Sequence, residues 1–283
     1  MKKQEMKSKT KRILIVFILL ILLTGFCYVQ NGYLVVTHYT YVSEKISGDL
    51  AGYRIVQISD LHNATFGKDN RCLVKKIEVL NPDMIVITGD VVDSNRPNVD
   101  VALDFATQAA KICPTYYITG NHENWLSEGD KQRLLKGLSD AGVICLSDET
   151  TDIKVKNSTF TLIGLNDESL RGNTLQNLVK NQDEAQLQIL LAHEPQYLEK
   201  YAMSKVDLVL AGHAHGGQFR IPFVGGLVAP DQGFFPEYTE GVHVDGQTTM
   251  VISRGLGNSV VPLRLFNLPE VVCIDMNGGE KHE

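Results

Sequence analysis

Five short apolar stretches of this chain each stop at side chains that can bind a metal. Ile55–Ser59 runs into Asp60-Leu61-His62, Met84–Thr88 into Gly89-Asp90, and Thr115–Thr119 into Gly120-Asn121-His122-Glu123. Ile189–Ala192 runs into His193, and Leu208–Ala211 into Gly212-His213-Ala214-His215. Short runs rich in Val and Ile read as buried strands. Polar residues just past the carboxyl ends of such strands gather in one crevice of an α/β sheet. Residues spread from 60 to 215 are therefore expected to meet at one place.

The segments between these runs have helical spacing. Leu73, Val74, Ile77 and Leu80 share one helix face, with Asn70 as a candidate cap. Val101, Ala102, Phe105, Ala106 and Ala109 mark a second helix, and Leu134, Leu135 and Leu138 a third, with Gly142 as its stop. Weaker helical patterns lie near 173–182 and 195–203. Strand and helix alternate from about 52 to 212, which argues for an α/β arrangement. Tyr33–Ser43 reads as an opening strand, and 45–51 as a turn-like connection. After 216 the texture changes to Gly, Pro and aromatics, then to strand-like 250–253 and 271–274, a tail expected to complete a second sheet. Phe219, Phe223, Phe234, Phe235 and Tyr238 in 216–240 are expected to fold inward as core. The alternative is a rim or lid that meets an amphipathic substrate or the bilayer.

The N-terminus carries a separate signal. Ile13–Leu23 is unbroken apolar sequence, and no charge appears before Gln30. Such a run is near the lower limit for crossing ~30 Å of hydrocarbon. Lys7, Lys9, Lys11 and Arg12 precede it, which keeps that end cytoplasmic and the remainder outside. No A-x-A pattern follows the apolar core, so an uncleaved signal-anchor is favoured over a peptide cleaved at an atypical site. The expected plan is a cytoplasmic basic tail (1–12), a transmembrane signal-anchor (13–30) and one domain (31–283) outside the cell membrane. Residues 1–12 hold six Lys/Arg against one Glu while the whole chain has a net charge of −6, so the domain is acidic. A surface that coats nucleic acid is therefore not expected. The five cysteines show no C-x-x-C spacing. Cys113, Cys145 and Cys273 sit in apolar runs and read as buried thiols.

Asp60 and His62 are two apart, as are His213 and His215. If strand geometry carries through, each pair faces one side and grips a cation. His193 adds an imidazole, Asn121 a carbonyl oxygen and Asp90 a carboxylate. These donors exceed what one catalytic ion needs and fit two, with a carboxylate bridging. Two ions about 3.5–4 Å apart clamp a phosphoryl group and ionise a shared water for in-line attack. Mixed imidazole and carboxylate donors suit Mn, Fe or Zn better than Ca, with Mg less favoured. Gly89, Gly120 and Gly212 precede the ligands, where glycine lets the strand end turn sharply.

Asp60-x-His62, Gly89-Asp90, Gly120-Asn121-His122-Glu123, His193 and Gly212-His213-x-His215 together resemble, in order, the motif set of the calcineurin-like metallophosphoesterases. Gly216-Gly217-Gln218, Ser253–Gly257 and Arg264–Glu270 look like its bacterial membrane-associated or secreted phosphodiesterase branch, which includes relatives that hydrolyse UDP-diacylglucosamine. The resemblance implies a four-layer αββα sandwich, two mixed sheets flanked by helices. It implies that Asp60, His62, Asp90 and His215 hold a first metal, and Asp90, Asn121, His193 and His213 a second. His122 is left over as the acid that protonates the leaving oxygen, oriented by Glu123 or Asp93. The alternative for His122 is a helix-cap or supporting role. Protein Ser/Thr phosphatases of this superfamily read Gly-Asp-x-x-Asp-Arg-Gly, whereas here Asp93 is followed by Ser94-Asn95, with Arg96 out of register. Hydrolysis of a phosphodiester or pyrophosphate, lipid-linked or cell-wall derived, is therefore expected over phosphoprotein. The alternatives are a phosphomonoesterase or nucleotidase, or a non-catalytic metal-binding envelope protein.

Overall fold

The computed structural model describes residues 2–279, with side chains from residue 9 onward, so the side chains of Lys2, Lys3 and Lys7 in the basic tail lie outside the described residues. The chain opens with α1 (Lys2–Gly32), β1 (Val35–Ser43), β2 (Arg54–Ile58), α2 (Arg71–Leu80), β3 (Met84–Thr88), α3 (Val99–Ala109) and β4 (Thr115–Ile118). It continues through α4 (Asn121–Asn124), α5 (Glu128–Asp140), β5 (Ile144–Cys145), β6 (Glu149–Val155), β7 (Ser158–Gly164), α6 (Thr174–Val179), β8 (Gln188–Leu191), α7 (Leu198–Met203) and β9 (Leu208–Ala211). Two small hairpins follow, β10 (Arg220–Ile221) with β11 (Gly225–Gly226), and β12 (Val228–Ala229) with β13 (Gly233–Phe234). The last strands are β14 (Gly241–Asp245), β15 (Thr248–Ile252) and β16 (Glu270–Gly278).

Strand alternation decides the layers. Successive side chains of a strand point to opposite faces. In β2, Val56 and Ile58 join the cluster under α2, α3 and α5, while Ile55 joins the cluster between the two sheets. In β3, Ile85 and Ile87 face the helices, and Met84 and Val86 face the other sheet. Leu162, Ile189, Leu210 and Val251 meet them from the second sheet. The outer face of that sheet, with Leu190, Val209 and Ile252, packs on Leu175 of α6 and on Leu198 and Tyr201 of α7. Each fully buried Ile or Leu contributes roughly 1.5–3 kcal/mol relative to exposure. The result is the expected αββα sandwich of two mixed sheets.

The first sheet runs β1-β16-β2-β3-β4-β5 and the second β14-β15-β9-β8-β7-β6. β2 to β5 are parallel, as are β7, β8, β9 and β15. Their carboxyl ends therefore share one rim of the sandwich. Gln57 ties the sheets beneath that rim, its Nε2 donating to the Ala211 carbonyl at 2.8 Å and to Thr88 Oγ1 at 3.1 Å.

The tail departs from expectation in two ways. β15 completes the second sheet, but β16 inserts in the first, parallel to β1 and antiparallel to β2. Phe223, Phe234 and Phe235 are exposed rather than core, while Phe219 and Tyr238 are half-buried. The hairpins that carry the three exposed rings leave no layer above them to bury an aromatic. Asn70 stands at the start of α2 but does not cap it. Its φ is 56°, and its Oδ1 accepts the Phe66 amide at 2.9 Å. All five cysteines are free, with Cys273 buried and Cys113 and Cys145 half-buried.

α1 exposes its apolar side chains from Ile13 to Leu23, and Lys9–Gly32 is long and apolar enough to cross a membrane. Its last turn docks on the segment before β16. Asn31 Oδ1 accepts from Asn258 Nδ2 at 2.9 Å and from the Arg264 amide at 3.0 Å, and Gln30 Oε1 accepts from the Asn267 amide at 3.2 Å.

Candidate metal centre

The expected ligands converge, but not by extended strand geometry. β2 ends at Ile58 and β9 at Ala211. Asp60, His62, Asp90, His213 and His215 all have left-handed backbone, with φ of 52°, 44°, 55°, 65° and 48°. Asp and His are among the side chains that tolerate this region. Each such residue costs roughly 1–3 kcal/mol, a strain that concentrates at functional sites. Backbone bonds hold it, from Asp60 N to Gly89 O at 3.1 Å, His62 N to Asp90 O at 3.0 Å and Gly212 N to His193 O at 2.9 Å. Of the three glycines, only Gly89 turns through a positive φ, of 90°. Gly120 and Gly212 are needed for close approach. A Cβ on Gly120 would lie 2.3 Å from Asp90 Oδ1, and one on Gly212 would lie 1.9 Å from Ser59 Oγ.

Two buried groups result. Asp60, His62 and His215 form one, with His62 Nε2 3.1 Å from His215 Nε2 and 3.9 Å from Asp60 Oδ1. Asp90, His193 and His213 form the other. Asn121 Oδ1 joins it, 2.9 Å from His213 Nδ1 and 3.1 Å from His193 Nε2. Asp90 Oδ2 stands between the groups, 3.5 Å from His62 Nε2 and 3.1 Å from His193 Nε2.

The donor chemistry fits divalent cations. His193 Nδ1 lies 2.7 Å from the Thr88 carbonyl, which can only accept, so Nδ1 carries the proton and Nε2 is the ring's ligand atom. Burial and then the neighbouring His215 hold the His62 ring well below its usual range, against the pull of Asp90. Burial lowers His215 to about 4. Burial would raise Asp90, but His193 and then His62 and His122 hold it far below the carboxylate range. Burial likewise disfavours a charged His193, but Asp90 overcomes that and raises it well above normal. His62 and His215 are thus neutral imidazoles beside an ionised carboxylate, and a divalent cation would take the place of the proton that Asp90 holds on His193.

His122 and Asn121 start α4 at the carboxyl end of β4, and both line a cavity of about 340 Å³ with Asp90, His213 and His215. The Ser94 amide donates to His122 Nδ1 at 3.0 Å, so the neutral ring carries its proton on Nε2, 3.2 Å from Ser259 Oγ. Asp93 Oδ1 is 3.7 Å from Nδ1, beyond hydrogen-bond range. Glu123 does not orient His122. Its carboxylate accepts the amides of Gly120 at 2.7 Å, Asp90 at 2.8 Å and Val92 at 3.2 Å, splinting the Asp90 loop to β4. Burial and the Asp90 charge raise Glu123 to about 7. Arg96 turns to Asp93 at 3.1 Å with an exposed side chain.

Four residues at the site escape sequence reasoning. Ser94 and Ser259 bracket the two nitrogens of His122. Asp231 Oδ2, on the turn between β12 and β13, lies 3.2 Å from His213 Nε2. Arg264 is fully buried and donates to the Gly257 carbonyl at 2.7 Å and the Arg254 carbonyl at 2.9 Å, behind His215. None of the four stands at a strand end, so strand-end position carries no signal for them.

A family model described as calcineurin-like phosphoesterase matches residues 53–217. The chain is 29% identical over 259 residues to the uncharacterized metallophosphoesterase YkuE of Bacillus subtilis, covering 88% of this chain and 87% of that protein. It is 30% identical over 237 residues to phosphodiesterase YaeI of Escherichia coli, covering 80% and 83%. A transmembrane protein with metallophosphoesterase domain from Danio rerio is 28% identical over 82% of this chain and 54% of its own length.

Proposed function

The chain belongs to the calcineurin-like phosphoesterase family, and on that premise we propose that it is a membrane-anchored phosphodiesterase with a dinuclear divalent-metal site outside the cell membrane. The observation that carries this reading is Asp90. Its carboxylate lies within 3.5 Å of imidazoles from both ligand groups, beside a cavity that His122 also lines. In this reading Asp60, His62, Asp90 and His215 hold one ion, and Asp90, Asn121, His193 and His213 the other. Manganese is the favoured metal, and Fe or Zn also suit the donors. Two bound cations would polarise the phosphoryl oxygens and ease the ionisation of water.

The chain's own residues supply the rest. Water adds across a P–O bond, leaving a phosphomonoester and an alcohol. His122 shares its Nε2 proton with the departing oxygen through a hydrogen bond, the Ser94 amide on Nδ1 keeps the ring in that tautomer, and the proton that the attacking water loses completes the alcohol, so the ring stays neutral. Asp231 steadies His213 through Nε2, leaving Nδ1 for the metal. Glu123 fixes the Asp90 loop through three amides. A diester or a pyrophosphate substrate is favoured over a phosphoprotein because Arg96 is paired with Asp93 and does not line the cavity. The name of the Escherichia coli relative supports the same choice. The proposed layout is a basic tail (1–12), an anchor (13–30) and a catalytic domain (31–283).

Two measurements test this reading. With added Mn, the purified chain is expected to hydrolyse bis-p-nitrophenyl phosphate faster than p-nitrophenyl phosphate, and a chelator is expected to stop both. Faster monoester turnover would favour the phosphomonoesterase alternative, and no turnover of either would favour a binding protein. For the topology, protease added to intact protoplasts is expected to remove the catalytic domain, since Lys9, Lys11 and Arg12 keep the tail inside. A domain protected until lysis would sink the outward orientation.

A further inference from the structure

We propose that the surface around the cavity mouth docks on the bilayer that α1 crosses, and that the site draws its substrate from an amphiphile held in that bilayer. The substrate clause rests on the phosphodiesterase reading, whereas the docking clause does not. The cavity is lined from 228–231 and 259–261, and the segments around these two loops carry several exposed apolar side chains. Phe223 and Phe234 are 109% and 76% exposed, and Phe235, Val260 and Phe266 are exposed with them. Charge is scarce here. Residues 221–236 hold only Asp231, which faces His213, and 255–269 hold only Arg264, which is buried. Phe223, Phe235 and Phe266 also have left-handed backbone, which bulky side chains rarely adopt, so the chain holds these rings outward at a cost. Exposed apolar side chains gathered on segments that line one cavity mark an interaction site.

The occupant is identified by α1. Phe26 lies inside the uncharged run that crosses the bilayer, and its ring packs on that of Phe266 with centroids 5.4 Å apart. Gln30 and Asn31 bond to the segment around Phe266 one turn later. Hydrogen bonds tie the two loops to each other beside it. Gln218 Nε2 donates to the Val261 and Leu263 carbonyls at 2.9 and 2.7 Å, and the Arg220 amide donates to the Leu265 carbonyl at 2.9 Å. A helix rises 1.5 Å per residue, so Phe26 to Gly32 spans only about 9 Å. The rim is therefore held at the level where the span leaves the hydrocarbon. Aromatic rings with little charge suit that depth. An amphiphile with its phosphodiester at the headgroup level could enter the cavity while its chain stays in lipid.

The test uses the full chain, loaded with Mn and reconstituted in phosphatidylcholine vesicles. Trp125 is the single tryptophan, so a Trp125→Phe background gives a silent chain. In it, Phe223→Trp and Phe235→Trp are expected to lose about half of their emission or more to lipids with brominated acyl chains. Met203→Trp, beside Gln188 at the amino end of β8, is expected to keep its emission. Rim tryptophans no more quenched than this control overturn the docking, including the case in which a second copy of the chain covers the rim. For the substrate, hexadecyl p-nitrophenyl phosphate in the vesicles is compared with ethyl p-nitrophenyl phosphate in solution. The long-chain ester is expected to have a kcat/KM higher by on the order of tenfold, and Phe223→Ser with Phe234→Ser and Phe235→Ser is expected to bring the ratio toward one. Equal turnover of the two esters by the unaltered chain, or a ratio that survives the triple substitution, overturns the amphiphile clause. If neither ester is cleaved but the rim is quenched, the phosphodiesterase reading fails and the docking surface stands.

Discussion

Asp90→Ala is expected to abolish turnover and to leave at most one metal ion per chain. The carboxylate touches both ligand groups through Oδ2, and its Oδ1 also accepts the His122 amide at 2.9 Å. Its loss therefore removes a ligand from both ions and frees the residue proposed as the acid. The loss should exceed the roughly 10–100-fold in affinity or activity that follows when a partner outside the ligand set is changed. Asp90→Asn separates the two effects, since an amide oxygen can still accept from His122 but carries no charge. Metal analysis and hydrolysis of bis-p-nitrophenyl phosphate on both variants read the outcome. Two ions per chain in Asp90→Ala would show that the carboxylate does not bridge.

His122→Ala is expected to keep both metals and to slow kcat by ~10²–10⁴-fold, the range for loss of a general acid. The ring contributes through Nε2, because the Ser94 amide occupies Nδ1. The loss should shrink for substrates with good leaving groups such as p-nitrophenol, which depart without a proton. An alkyl leaving group should show the full effect. Equal losses across leaving groups would assign His122 a purely supporting role. Altered metal content would point the same way, since the Ala variant keeps the amide that bonds Asp90, and the ring itself would then be what supports the metal site.

The central strands were legible in particular stretches. Ile55–Ile58 and Met84–Ile87 are short apolar runs, and such a run is local, whereas the face each side chain takes, helix cluster or inter-sheet cluster, came from the structure. The helix faces at Leu73–Leu80 and Val101–Ala109 were legible for the same reason. β16 was not. Val271–Ile274 is as apolar as any central strand, but its place between β1 and β2 depends on pairing with segments more than 200 residues away. The aromatics of 216–240 misled because burial is a property of what covers a side chain, and among the described residues Phe223 and Phe234 are left exposed.

The same division runs through the site. The sequence by itself determined which side chains collect at the rim, because Asp60, Asp90, Asn121, His193 and His213 each follow an apolar run closely, and a parallel sheet aligns its carboxyl ends. Tertiary structure decided how they face one another. Left-handed backbone at Asp60, His62, Asp90, His213 and His215 has no signature in spacing, and it persists only because bonds such as His62 N to Asp90 O link one loop to the next. It also chose Ser94 over Glu123 as the partner of His122, and brought Asp231 and Ser259 to the mouth of the cavity. Periodicity is a local property and is written in consecutive residues, whereas a hydrogen bond between distant loops exists only once the sheets have stacked.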